Sequence, residues 1–135
     1  MIISLTREQK RLLDKKTKEK YPIEACGLLF GDMNCEEAVV RKIVATHNIL
    51  ESSTNFQVDP EEFLKILSKA EKEDVKLIGF FHSHPATPQP SVTDIKYMKL
   101  WPENIWLIIS SLDYQIAAYQ TVDSSLRKVR LKVKY

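Results

Sequence analysis

Only two cysteines, Cys26 and Cys35, occur in the 135 residues. Two cannot build a disulfide framework and their spacing is not that of a zinc knuckle, so both are expected as free thiols. Long hydrophobic runs are also absent. Apolar stretches such as Leu77 to Phe81 and Ile105 to Ile109 are far too short to span a bilayer. Met1 to Leu5 runs straight into charged residues and lacks a signal-peptide core, so a reducing cytoplasm is the expected location. Neither sign of charge dominates. Twenty Lys and Arg against 18 Asp and Glu leave a formal net charge of +2, which gives no reason to expect nucleic acid or an acidic membrane as partner. No repeat, low-complexity tract or linker divides the chain. Hydrophobic residues at 44% with charged residues at 28% exclude disorder. One soluble domain over residues 1–135, with a real core, is the expectation.

Thr6 to about Lys20 is expected to be a helix. Thr6 caps it, Gln9 completes a capping box, and Tyr21-Pro22 ends it because the residue before proline avoids helical angles. Ala25 to Phe30 is apolar and closes at Gly31-Asp32, which predicts a strand followed by a turn. Glu37 to Thr46, with Val39, Val40, Ile43 and Val44, predicts a second strand. Asp59-Pro60-Glu61-Glu62 opens a helix with a capping aspartate, a proline at the first position and acids favoured by the dipole. Val75 to Phe81 is nearly continuously apolar, as in a central strand buried on both faces. It delivers the chain into His82-Ser83-His84-Pro85. Ser91 opens a short helix to about Leu100. Ile105 to Ser110, Tyr114 to Thr121 and Leu126 to Val133 read as closing strands. The partial alternation of Leu126, Val129, Leu131 and Val133 marks the last as an edge. The sum is an α/β domain with helices packed on one mixed or mainly antiparallel β-sheet.

Chemistry concentrates after the most apolar strand. Side chains alternate along an extended segment, so His82 and His84 point to one face and Ser83 to the other. Asp94 lies in the first turn of the next helix and supplies a carboxylate. Two imidazoles, one carboxylate and an open position form the donor set of a catalytic zinc site, and nitrogen ligands favour zinc over magnesium or calcium. Iron, cobalt and nickel stay open by ligand type. The ordinary readings differ: a lone His-x-His pair is usually two unconnected histidines, and Asp94 fits a variant capping box opened by Ser91. Location favours the metal. Two of the three histidines fall within three residues, at a strand end where α/β folds place ligands. Glu24, on its own, reads as a solvated loop glutamate. His47 reads as an ordinary loop histidine, and Trp101 and Trp106 as core or near-surface anchors.

Taken in order, Glu24, then His82-Ser83-His84-Pro85, then Ser91-Val92-Thr93-Asp94 resembles the motif of the JAMM (MPN+) metalloproteases. The context Glu24 to Gly31, the stretch Asn48 to Pro60 and the Gly79-Phe80-Phe81 approach are similar as well. The resemblance covers almost the whole chain and is of the compact prokaryotic type. It implies a cytidine-deaminase-like α/β fold and a zinc ion held by His82, His84 and Asp94 with a water. It implies Glu24 as general base and later acid, and Ser91 as donor to the oxyanion. Cys26 then has no nucleophilic duty. The implied partner is a ubiquitin-like or sulfur-carrier protein ending in Gly-Gly, cut at the bond after that tail. The loop Pro85 to Pro90 is one residue shorter than the usual family pattern. Three other functions stay in view: a catalytically silent MPN scaffold, a RadC-like DNA-associated hydrolase, and a zinc amidase acting on a small molecule, including an amino-acid adduct of a sulfur-carrier tail. Oligomeric state is left open.

Overall fold

A computed structural model describes residues 1–134. In chain order it contains β1 (Ile2–Thr6), α1 (Arg7–Lys20), β2 (Cys26–Met33), β3 (Glu37–Thr46) and α2 (Pro60–Lys72). There follow β4 (Lys76–His84), α3 (Val92–Leu100), β5 (Ile105–Ser110), β6 (Ile116–Val122) and β7 (Ser125–Lys134). The helix signals act locally as read. Gln9 N donates to Thr6 Oγ1 at 3.1 Å and Thr6 N donates to Gln9 Oε1 at 2.9 Å, closing the capping box of α1. Glu61 N donates to Asp59 Oδ1 at the start of α2.

The class is α/β, but the sheet is a closed barrel in the order β1-β3-β2-β4-β5-β6-β7 rather than one open sheet flanked by helices. β1 closes the wall: it runs parallel to β7 over its whole length and parallel to the start of β3. Its five residues bury Ile3 and Leu5 completely, a signal too short to separate from the helix cap that follows. Leu126 to Val133 is therefore not an edge, because β7 pairs with β6 on one side and β1 on the other. The partner that removes the edge comes from the far end of the chain. Gly31-Asp32 is not a turn either. β2 continues to Met33 past a bulge between Phe30 and Gly31, where a Cβ on Gly31 would lie 1.9 Å from Val39 O. The turn falls one step later, with Asn34 Oδ1 accepting from the amides of Glu36 and Glu37.

Two cores result. All the strands feed the barrel interior, through Ile3, Leu5, Leu29, Ala38, Val40, Phe81, Leu107, Ala118 and Val129, and Leu13 of α1 packs onto it. The second core lies on the outer wall of β2, β4 and β5. There Leu28, Phe30, Phe80 and Ile108 meet Met98 of α3 and Phe63, Ile66, Leu67 and Ala70 of α2. Each such aliphatic or aromatic side chain contributes roughly 1.5–3 kcal/mol when buried, so this layer holds α2 and α3 firmly against the wall.

A bulge in β4 decides what faces this outer core. Leu29 pairs with Gly79 but Phe30 pairs with Leu77, so β4 carries one extra residue. Before it, Ile78 points into the barrel. Beyond it, Phe81 points in, while Phe80 points out. The phase has flipped, and the even-numbered His82 and His84 face outward with Phe80. At Gly79 the backbone runs close to β5, since a Cβ there would sit 1.8 Å from Ile105 O. Gly79→Ala should cost ~3 kcal/mol or more in urea unfolding, because backbone cannot yield as a side chain can. A change below about 0.5 kcal/mol would mean that the close approach imposes nothing.

Candidate metal centre

The site is built by strand register. Cys26 of β2 pairs with His82 of β4 in antiparallel sense. Stepping two residues back along β2 and two forward along β4 brings Glu24 level with His84, and opposed residues of an antiparallel pair share a face. The intervening pair is locked: Ser83 N donates to Ala25 O at 2.9 Å, and Ala25 N donates to Ser83 Oγ at 2.8 Å. Ser83 thus points away from its histidine neighbours and ties down the segment carrying Glu24. The end of β4 is pinned as well, with His84 O accepting from Ser111 N and Ser111 Oγ. From α3, the Ser91 capping box aims Asp94 back at the strand. Asp94 N donates to Ser91 Oγ at 3.0 Å and Ser91 N donates to Asp94 Oδ2 at 2.9 Å.

His82, His84 and Asp94 converge. Asp94 Oδ2 lies 3.2 Å from His82 Nε2 and 3.0 Å from His84 Nε2, and the two nitrogens are 3.1 Å apart. Tetrahedral coordination at about 2.0–2.1 Å separates ligand atoms by roughly 3.3 Å, so the triangle is close to the size that a small divalent cation needs. Glu24 completes the cluster: it offers an oxygen within 4.8 Å of the ring nitrogens of His82 and His84. Its side chain is buried, and neither carboxyl oxygen has a hydrogen-bond partner. A buried carboxyl without partners is expensive unless something else in the site uses it. All four groups are nearly enclosed, with His84 the most accessible at 9%.

Burial and proximity set the charges. Burial pushes the Glu24 carboxyl up to about 8, with His84 opposing the rise and Asp94 adding to it. Burial lowers the His82 imidazole. Burial also works to lower His84, but the Asp94 carboxylate hydrogen-bonded to it raises it overall. Asp94 itself would be raised by burial, yet the hydrogen bonds from His82 and His84 hold it well below the usual carboxylate range. Before a cation binds, the centre therefore holds an ionised Asp94 and, at neutral pH, a protonated Glu24. Cys26, next to the site on β2, is pushed up to about 11 chiefly by burial and stays a thiol.

The residues picked from sequence are thus brought together: Glu24, His82, His84, Asp94 and, at the rim, the exposed Ser91. Sequence reading missed Phe56. Its ring stacks on His82 at 4.6 Å between centroids and 23° between planes, and only the fold of the 47–58 segment reveals it. Phe56 also borders an aromatic recess of about 250 Å³ shared with Val58, Phe63, Tyr97, Trp101 and Trp106. Trp106 is a core anchor and Trp101, 39% exposed on the recess wall against Phe63 and Phe80, a near-surface one. No helix among the described residues is long and apolar enough to cross a membrane.

A barrel with this motif on its outer wall defines a JAB-type domain. Residues 7–125 match the family of prokaryotic homologs of the JAB domain, and the chain belongs to that family. It is 39% identical over 113 residues to the desampylase of Pyrococcus furiosus, covering 83% of this chain and 77% of that protein. The desampylase of Haloferax volcanii is 32% identical over 118 residues, covering 84% and 80%. A CysO-cysteine peptidase of Mycobacterium bovis is 28% identical over 120 residues, covering 86% and 80%. The solution structure of a Desulfitobacterium hafniense protein superposes with a TM-score of 0.86 at 28% identity, covering 99% of this chain and 93% of that one.

The buried Glu24 gives the metal-free protein a pH signature. Its folded-state value, near 8, lies above the ordinary 4.5, so the folded state binds more protons between those values. Stability should therefore fall as pH rises through that window. Metal-free Glu24→Gln should exceed metal-free wild type by a gap on the order of 5 kcal/mol above about pH 8, narrowing toward zero near pH 4.5. Denaturant melts across pH check this, and a constant gap would show that Glu24 is not the group responsible.

Proposed function

We propose that the chain is a zinc-dependent hydrolase that cleaves the amide bond after the Gly-Gly tail of a ubiquitin-like or sulfur-carrier protein. His82, His84 and Asp94 would hold the metal. The observation that carries the reading is the buried, unpartnered Glu24 carboxyl standing beside a triangle of three metal-type donors. The names of the relatives, desampylase and CysO-cysteine peptidase, support hydrolysis of bonds made by small carrier proteins. An assembled set of all four groups argues against the silent scaffold.

A zinc ion held by His82, His84 and Asp94 would supply Lewis acidity and would bring the pKa of a water from ~16 to about 7. Glu24 takes a proton from the attacking water as its oxygen bonds the scissile carbonyl carbon. It delivers that proton to the amine nitrogen as the C–N bond breaks. A cation in the site would favour the ionised, proton-accepting form of Glu24 that burial alone disfavours. Ser91 Oγ already accepts from Asp94 N, leaving its O–H free to donate to the oxyanion from the rim. No covalent enzyme intermediate is required, which agrees with the protonated, buried Cys26.

The enclosure of the four groups favours glycine in the tail. Only a slim backbone reaches a centre whose members are at most 9% exposed. The barrel wall is closed, so an extended tail would add to the Asn48–Val58 segment, which lies outside the strand ladder and carries Phe56.

With zinc-loaded protein and a Gly-Gly-tailed carrier joined to a peptide amine, Glu24→Gln should lower kcat about 10²–10⁴-fold. Changing the tail to Ala-Ala should abolish cleavage. Wild-type rates in the variant would overturn the base assignment, and equal cleavage of both tails would overturn the substrate class. Ser91→Ala should lower kcat about 10²-fold and, by removing the cap, cost ~1 kcal/mol of stability. Ser91→Thr, which keeps cap and hydroxyl, should restore both, as paired kinetics and melts would show.

A further inference from the structure

We infer that Asn48 is the positioning residue that sets Glu24 and couples it to the loop lying over His82; the inference rests on Glu24 being the base. Asn48 follows β3 by two positions and is 4% exposed. Its side chain reaches two parts of the chain that are far apart in sequence. Nδ2 donates to Glu24 O at 3.2 Å and to Asn55 O at 3.0 Å, with Ser52 O at 3.5 Å. Oδ1 accepts from Leu50 N at 3.1 Å and Gln57 N at 3.2 Å. The orientation of the amide is forced: nitrogen faces carbonyls only and oxygen faces amides only, so a flip would mismatch every contact.

Glu24 depends on this arrangement. Its side chain accepts nothing from protein, so its placement is set by its backbone. The Glu24 carbonyl accepts from Asn48 Nδ2, and the Glu24 amide donates to Ser52 O at 2.8 Å. Ser52 is held in the same turn by Asn48. β2 begins only at Cys26, so Glu24 lies just beyond the regular ladder. Both polar groups of its peptide unit are therefore satisfied by the 48–55 turn.

The other end of the network reaches the metal triangle. Gln57 N is held by Asn48 Oδ1, Ile49 N donates to Gln57 O, and Asn48 bridges Val58. The residue between Asn55 and Gln57 is Phe56, stacked on His82. One buried amide thus fixes both the base and the ring that covers a ligand, without touching the ligands. A base misplaced by about 1 Å can lose 10²-fold in rate. The metal, held by β4 and α3, should be indifferent.

The test uses zinc-loaded full chain and a Gly-Gly peptide amide of aminomethylcoumarin. Asn48→Ala removes the whole network. Asn48→Asp keeps the two bonds accepted by Oδ1 but turns a carboxylate oxygen toward three carbonyls, and serves if the alanine variant does not fold. Each folded variant should keep the wild-type zinc content, lose kcat about 10²-fold and change KM less than threefold. In a Glu24→Gln background, adding Asn48→Asp should lower the residual rate less than about twofold, because the group it positions is gone. Loss of zinc, or an equal fold-loss in both backgrounds, would overturn the inference in favour of a merely structural role. Unchanged kcat in both Asn48 variants would overturn it while leaving Glu24 as base. Wild-type kcat in Glu24→Gln alone would instead remove the reading on which it rests.

Discussion

The antiparallel pairing of β2 with β4, entered through the bulge at Gly79, is the constraint on which the centre depends. The bulge reverses the phase of β4, so that His82 and His84 leave the barrel interior and face α3. The Cys26–His82 register then brings Glu24 opposite His84. A slip of one residue would invert both faces and send the imidazoles into an apolar barrel. Phe81, fully buried in the interior, and Phe80, packed among Phe63, Trp101 and Trp106, secure the phase on either side of the strand.

The centre concentrates what folding alone would avoid. Three donor atoms crowd within 3.2 Å, beside a buried carboxyl with no partner and a His82 Nδ1 with none either. Local rules are broken here and obeyed elsewhere: caps are formed, the turn at Asn34 is satisfied, and two apolar cores are filled. That contrast is typical of a site retained for chemistry at the expense of stability.

Much of this was readable from local sequence. The Thr6 box, the Asp59-Pro60 start and the Ser91 cap act within a few residues, and the common face of His82 and His84 follows from the period of a strand. The same period puts Ser83 on the opposite face, though nothing local points to its partner Ala25. What escaped the sequence was long-range. β1 is five residues long and owes its existence to β7, 128 positions later for the Ile2–Arg130 pair. Barrel closure, the internal position of β7 and the bulge in β4 all depend on such pairings. Glu24 reads as a solvated glutamate until β2 is set against β4, and in the sequence only the resemblance to a family motif links it to the site. Phe56 and Asn48 carry no local signal of their own.

The ligand set separates two arrangements, since Glu24, His82 and His84 also lie near enough to share an ion. The most direct measurement is zinc per chain, by native mass spectrometry after zinc loading, for wild type, Glu24→Gln and Asp94→Ala. The expected result is about one zinc in wild type and in Glu24→Gln, and essentially none in Asp94→Ala. Zinc retained without Asp94 but lost with Glu24→Gln would make Glu24 a ligand and contradict its assignment as the base.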